Sequence, residues 1–157
     1  MKGRTRGLPI IASLALFVAG LLLYPFEELV VPAWTVQLVD PSGAPVPHVR
    51  IRQVWQNYST EIDSHQDESV TDQDGYVTFP ERGERSNLLE RAFVGFHNLR
   101  LGVHGSWGPK SFVFALAGGD MMSTDGNYNG VGIPPPRIVL KPMSDFARPK
   151  DPEPIVK

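Results

Sequence analysis

The chain has 157 residues, enough for one ordinary domain and too few for a two-domain enzyme. It contains no Cys, which excludes disulfides, Cys-based zinc sites, iron–sulfur clusters and thiol nucleophiles. Its 15 Lys and Arg against 17 Asp and Glu give a net charge of −2 without a basic stripe, so a nucleic-acid partner is not expected. No cofactor is expected.

Residues 1–33 predict a membrane anchor or a signal peptide. No charged residue occurs from Gly7 to Phe26, and the apolar run is long enough as a helix to cross a hydrocarbon layer of about 30 Å. Basic residues precede the run and acidic residues follow it, which predicts a cytoplasmic N-terminus and an extracytoplasmic remainder. A signal peptide cleaved after Ala33 has the same layout. The length of the run favours a retained single-span anchor, with a secreted module as the alternative.

Residues 34–142 predict one domain of short strands and turns. Alternating apolar residues predict strands over Trp34–Val39 and Val49–Trp55, separated by a Pro-rich and Gly-rich turn. The polar, acidic segment 57–69 is expected to be a solvated loop. The Asp-Gly pair at Asp74 then predicts a tight turn between two short strands of a hairpin.

One helix is predicted, over Leu88–Leu101, with another strand as the alternative for this segment. Asn87 and Glu90 have the spacing of a capping box, and apolar residues then recur every three or four positions. The stripe formed by Phe93, Phe96 and Leu99 is expected to face the core, with a partner groove as the alternative.

The last third of the domain is expected to contain three more strands and a tail. Residues 103–107 and 111–117 are expected to pair around a turn, and residues 138–140 to form a final short strand. The Pro-rich segment 143–157 predicts a flexible tail.

Two turn motifs carry a family resemblance. Residues 36–51 include Asp40-Pro41-Ser42-Gly43-Ala44-Pro45-Val46, and residues 71–79 begin Thr71-Asp72-Gln73-Asp74-Gly75. This order of strands and turns resembles the carboxypeptidase regulatory-like domain, strongest over residues 34–80. The family commonly has a small residue, often Gly, where His48 stands. The resemblance implies a small transthyretin-like or Ig-like β-sandwich that serves as a non-catalytic accessory domain, and it transfers no catalytic residues.

Two sets of candidate site residues emerge from the sequence. Asp125, Asn127 and Asn129 match the first half of a calcium loop, but Pro136 stands where the loop needs a bidentate Glu. A Gly-rich and Asn-rich connection is the main expectation there, and weak calcium binding is the alternative. Trp107 and Tyr128 are the candidates for an aromatic face that binds sugars or peptides, although large aromatics more often fill a core.

These observations predict a mainly β, non-catalytic domain, held at a membrane by its N-terminal helix and lying on the extracytoplasmic side. It is expected to bind a protein or envelope partner through loops or a free sheet edge. A secreted module that binds carbohydrate or calcium is the alternative, and an envelope hydrolase is a third possibility. The hydrolase would need a cluster of His and carboxylate side chains that the linear sequence neither shows nor excludes.

Overall fold

The computed structural model of the protein describes residues 7–117 and 121–142. Of these residues, 43% lie in strands and 25% in helices, which confirms that the chain is mainly β. The helices are α1 (Gly7–Leu23), α2 (Leu88–Leu101) and a 3₁₀ turn, Gly102–His104. The strands are β1 (Phe26–Val31), β2 (Trp34–Val39), β3 (Arg50–Asn57), β4 (His65–Val70), β5 (Tyr76–Phe79), β6 (Arg82–Ser86), β7 (Pro109–Ala117), β8 (Met121–Tyr128), β9 (Arg137–Val139) and β10 (Lys141–Pro142).

The described strands form three sheets. The largest has the order β10-β8-β7-β3-β4, the second has the order β5-β2-β9, and β1 pairs with β6 in a two-stranded ribbon. In the second sheet β5 is antiparallel to β2, whereas β9 runs parallel to it. Two open sheets with a shared apolar interior are consistent with a β-sandwich.

The core draws on both larger sheets and on the ribbon. Trp34 and Phe79 come from the three-stranded sheet, and Ile51 from the five-stranded sheet, all at most 1% exposed. Val30 and Val31 of β1 are 1% and 0% exposed and belong to the same cluster. The packed unit therefore begins before Trp34, where the sequence places the start of the domain.

The predicted helix Leu88–Leu101 is confirmed, including its capping box. Asn87 Oδ1 accepts a hydrogen bond from the Glu90 amide at 2.9 Å, and the Glu90 carboxylate accepts one from the Asn87 amide at 2.9 Å. These two bonds satisfy amides that the first turn would otherwise leave unpaired.

The face of α2 that packs on the sandwich differs from the predicted one. Phe93, Phe96 and Leu99 are 65%, 61% and 70% exposed, so the expectation that they face the core is wrong. The buried residues of the helix are Val94 and Asn98. Asn98 Nδ2 donates to the Tyr58 carbonyl at 2.6 Å and to the Ser106 carbonyl at 3.0 Å, and these bonds fix the helix with its apolar stripe outward.

Four local expectations for strands are also wrong. The turn at Gly75 joins β4 to β5, which pair with β3 and β2 in different sheets, so no hairpin forms there. Residues 65–70 form an edge strand within the expected loop, and residues 102–104 form a 3₁₀ turn where a strand was expected. The segment 121–128, expected to be largely a connection, is strand β8.

Candidate functional site

The structure places the two aromatic candidate residues in different surroundings. Trp107 is 52% exposed and lies beside α2, where its Cζ3 would be 4.0 Å from a Cβ built on Gly95. Tyr128 is partly buried against the core cluster. Trp107 is thus free to contact a partner, whereas the ring of Tyr128 contributes to packing.

A groove on the outer face of the five-stranded sheet contains two of the three calcium-loop candidates. Asn127 and Asn129 line this outer groove, a cavity of about 340 Å³, together with Tyr58 and Lys110. Asp125 has its backbone in β8, but its side chain lies outside the described residues. The Lys110 ammonium in the same groove opposes a bound cation by charge repulsion.

The sheet register builds this outer groove. Val54, Phe112 and Asn127 are directly opposite one another on β3, β7 and β8. At the groove's end the Lys110 Nζ atom lies 5.3 Å from the centre of the Tyr58 ring, a cation–π distance. The groove therefore presents amide groups, a cation and aromatic surface to solvent.

A second cavity lies beside β4 and β6, and we call it the His65 cleft. It has a volume of about 490 Å³ and is centred on the Trp55 ring. His65 stacks against that ring at 5.6 Å between centroids, and the Arg82 guanidinium lies 4.3 Å from its centre. Trp and Arg, which both line this cavity, are among the residue types that most often dominate the binding energy of an interface.

Hydrogen bonds hold the charged groups of the His65 cleft in place. The His65 Nε2 atom lies 2.6 Å from Glu61 Oε2, and the Thr60 hydroxyl donates to Glu84 at 2.6 Å. The imidazole and the hydroxyl thus engage different carboxylates. These hydrogen bonds orient the side chains around the cleft.

Two carboxyl groups near the cleft have shifted pKa values. Burial raises the pKa of Glu84 above its usual 4.5, and repulsion from Glu61 and Glu28 acts in the same direction. The hydrogen bond from Arg82 lowers the pKa of Asp67 below its usual 3.8. Asp67 is therefore a fixed acceptor for Arg82, whereas Glu84 bears its charge in an unfavourable environment.

Residues that could hold a metal ion do not converge in the described part of the chain. Across residues 7–117 and 121–142, no three His, Asp or Glu side chains form a group suited to a metal.

The N-terminal helix is a third candidate surface. Within α1, residues such as Ile10, Leu16 and Phe17 are 70%, 74% and 64% exposed. No helix in the described ranges is both long and apolar enough to cross a membrane.

Comparison with known proteins gives no relative: no family model, no curated protein and no solved structure matches this chain.

The His65 cleft could not be anticipated from sequence spacing. Trp55 is on β3, His65 on β4 and Arg82 on β6, and only the folded sheets bring them together. The spacing of Glu61 and His65 was the one local signal, and in a polar segment such spacing is common.

Proposed function

We propose that this protein is a non-catalytic β-sandwich domain, held at a membrane by its N-terminal helix, that binds a protein partner on the extracytoplasmic side. Within this proposal the sandwich is of the transthyretin-like kind found in carboxypeptidase regulatory-like domains. The observation that carries the proposal is the continuity of the exposed apolar helix α1 with strand β1, whose last two residues, Val30 and Val31, are buried in the core.

The surface of α1 supports membrane attachment. Its 17 residues include no charged side chain, and Ile10, Leu16 and Phe17 remain mostly exposed in the folded chain. Exposed apolar surface of this extent is costly in water and favourable in lipid. Three basic residues, Lys2, Arg4 and Arg6, precede it and favour a cytoplasmic N-terminus.

The position of β1 favours a retained anchor over a cleaved signal peptide. Cleavage after Ala33 would remove Val30 and Val31 from the core and leave β6 without its partner strand. Each of these valines contributes about 1.5–3 kcal/mol by burial. A chain that starts at Trp34 would lose this packing, so attachment and folding both depend on the segment before it.

The His65 cleft is the proposed partner surface. His65 lies on β4, which is an edge strand of the five-stranded sheet because it has a neighbour on one side only, and Trp55 and Arg82 line the same cleft beside it. The β4 edge itself is charged: Asp67 and Glu68 are paired with arginines, and such charges discourage indiscriminate strand pairing. A partner that fills the cleft would therefore be recognised through side chains.

Attachment and partner binding are tested separately in the native host. The full chain with a C-terminal tag should be found in the membrane fraction, resist carbonate extraction, and have the intact mass of the uncleaved chain. The tagged domain should be digested by protease added from the extracytoplasmic side. A soluble product that starts at Trp34 would contradict the proposed attachment.

Partner binding is tested by photo-crosslinking from the cleft. A photoreactive amino acid at His65 should capture a discrete envelope protein, whereas the same probe at Ser42, on an exposed turn of the sandwich, should not. Equal capture by the two probes, or capture by neither, would contradict a partner at the His65 cleft.

The outer groove favours a second candidate function, binding of a polar ligand such as a carbohydrate. Tyr58, Phe112 and Lys110 combine there with the Asn127 amide, a set suited to stacking and hydrogen bonding with a sugar. Calorimetry with a glycan panel should give heat that Phe112→Ala removes. Phe114→Ala, two residues further along the same strand, is the matched control. Absence of heat with the whole panel would contradict this function.

A further inference from the structure

We propose that the outward face of α2 lies on the same membrane that holds α1, so that the sandwich rests on the bilayer in one fixed orientation. This inference rests on the proposed membrane attachment and adds a second lipid contact to it. The occupant of this face is a lipid surface.

The outward face of α2 has the composition of an interfacial helix. Its exposed apolar residues are Leu89, Phe93, Phe96 and Leu99, which are 50%, 65%, 61% and 70% exposed. The helix's single acidic residue, Glu90, is held in the capping box at the N-terminus. An apolar face of Phe and Leu suits a helix that lies in the plane of the membrane interface.

A cation accompanies the apolar residues. The Arg100 guanidinium lies 5.8 Å from the centre of the Phe96 ring. With Phe96 in the acyl region, Arg100 can extend along the ring to a lipid phosphate. Aromatic rings with an adjacent cation match the boundary between acyl chains and headgroups.

The sheet register places α2 where α1 ends. Phe26, three residues after the end of α1, pairs with Ser86, and α2 begins at Leu88. The two helices are also in contact. A membrane that holds α1 therefore adjoins the first turn of α2. No other protein is needed between α2 and the membrane.

The loops at the same end of the sandwich are also apolar at their tips. We call this end the α2 end; it lies where Asn57 of β3 pairs with Pro109 of β7. Val103, Val131 and Ile133, in the loops on either side of β7 and β8 there, are 95%, 87% and 93% exposed. Such exposure is unfavourable in water and is relieved on a lipid surface.

The opposite end of the sandwich has a different character. Its turns contain Asp40 and Asp72, which accept backbone hydrogen bonds within their own turns, together with Asp74. Acidic turns are repelled by an anionic bilayer. The apolar α2 end and the acidic opposite end thus give the domain a polarity that matches one orientation on a membrane.

Depth-dependent fluorescence quenching tests this orientation in the full chain. Because the chain has no native Cys, Phe96→Cys, Val70→Cys and Leu16→Cys each give one labelling site for an environment-sensitive fluorophore. Val70 is the matched control: it is apolar, 54% exposed, and lies at the opposite end, where it pairs with Arg50. Each variant is reconstituted in vesicles of phosphatidylcholine and phosphatidylglycerol with or without lipid carrying a nitroxide at acyl carbon 5.

The proposal predicts that the lipid nitroxide lowers the fluorescence at position 96 by at least about twofold and leaves position 70 unchanged. Position 16 reports on the anchor alone. Quenching at 16 with equal, weak quenching at 96 and 70 would overturn the orientation and leave the proposed attachment standing. No quenching at 16 would overturn the attachment and this inference together. Disulfide-linked dimers of the unlabelled Phe96→Cys variant, together with no lipid quenching of the labelled one, would show that a second copy covers the face, which would also overturn the proposal.

Discussion

At the residue scale, His48 has a strained backbone conformation. Its φ of +57° lies in the left-handed region, and it is the one non-Gly residue with positive φ in the described ranges. This conformation costs a residue with a Cβ roughly 1–2 kcal/mol. The position is held by a hydrogen bond from the His48 amide to the Thr71 carbonyl at 3.0 Å.

We therefore expect His48→Gly to stabilise the protein by up to about 1 kcal/mol, since Gly relieves the strain but raises the entropy of the unfolded chain. His48→Ala retains the Cβ and should give no such gain. Chemical denaturation of the two variants measures the difference. Equal midpoints for His48→Gly and His48→Ala would contradict a strained backbone at this position.

The Glu84 carboxyl predicts a pH-dependent stability. Burial raises its pKa in the folded state, so its protonated form is favoured there. The corresponding stabilisation is present below the unfolded-state pKa and is lost as pH rises through the folded-state pKa. Glu84→Gln keeps an acceptor for Thr60 and cannot ionise, so it should raise the melting temperature near neutral pH and have less effect at about pH 4.

The control for Glu84 is Glu81→Gln, at an exposed residue of the same cleft. Thermal unfolding of both variants at the two pH values gives the comparison. A gain that is the same at both pH values, or equal in the two variants, would mean that ionisation of Glu84 is not the cause.

Gly126 shows how a single residue sets the spacing of two strands. A Cβ at this position would lie 2.5 Å from the Val113 carbonyl oxygen and 3.2 Å from Ile138 Cγ2. We expect Gly126→Ala to cost on the order of 1–3 kcal/mol through this clash. Gly83→Ala, also in a strand and with its nearest atom at 3.7 Å, should be nearly neutral in the same denaturation assay. Similar losses for the two variants would contradict a packing role for Gly126.

At the element scale, α2 shows that a correct helix prediction does not identify its buried face. The spacing of its apolar residues and its capping box are local, so its bounds were predictable. Its orientation depends on Asn98, whose side chain donates to backbone carbonyls 40 and 8 residues away in sequence. The hydrogen bonds of the buried Asn98 side chain therefore determine which face of α2 packs on the sandwich, although the apolar stripe lies on the other face.

We expect the double variant Phe93→Gln with Phe96→Gln to retain the wild-type stability within about 1 kcal/mol, because Gln favours helix and both positions are exposed. Val94→Gln places an amide at a position that is 5% exposed and should cost about 1–3 kcal/mol or more. Denaturant unfolding in detergent measures both. If the double variant were destabilised more than Val94→Gln, the result would indicate that Phe93 and Phe96 pack against the core.

Some strands could likewise be predicted from local sequence, and others could not. β2 and β5 alternate apolar and polar residues, and both were predicted. The sequence of β4 is polar and predicts a loop, and all its residues are exposed or partly exposed. The sequence of β8 predicts a connection because it contains a glycine and an amide side chain. Their partners across the sheet, β3 and β7, determine that they are strands. For the same reason, the His65 cleft could not be recognised in the sequence, because its residues come from three different strands.

At the scale of the whole molecule, the N-terminal segment links the proposed membrane attachment to the packing of the sandwich. The apolar run of α1 predicts an anchor, and the sequence suggests a domain that starts at Trp34. The described structure joins the two through β1, which pairs with β6 and contributes Val30 and Val31 to the core. Removal of the N-terminal segment is therefore expected to affect folding as well as attachment.

This continuity predicts that two N-terminal truncations differ sharply. A chain that starts at Pro25 retains β1 and should unfold cooperatively, whereas a chain that starts at Trp34 loses Val30 and Val31, which are 1% and 0% exposed. Their burial is worth about 3–6 kcal/mol in total. Because small domains have only about 5–15 kcal/mol of stability, the shorter chain should be largely unfolded or aggregated. Near-ultraviolet circular dichroism and thermal melts of the two chains measure this, and equal melting temperatures would mean that the sandwich does not need β1.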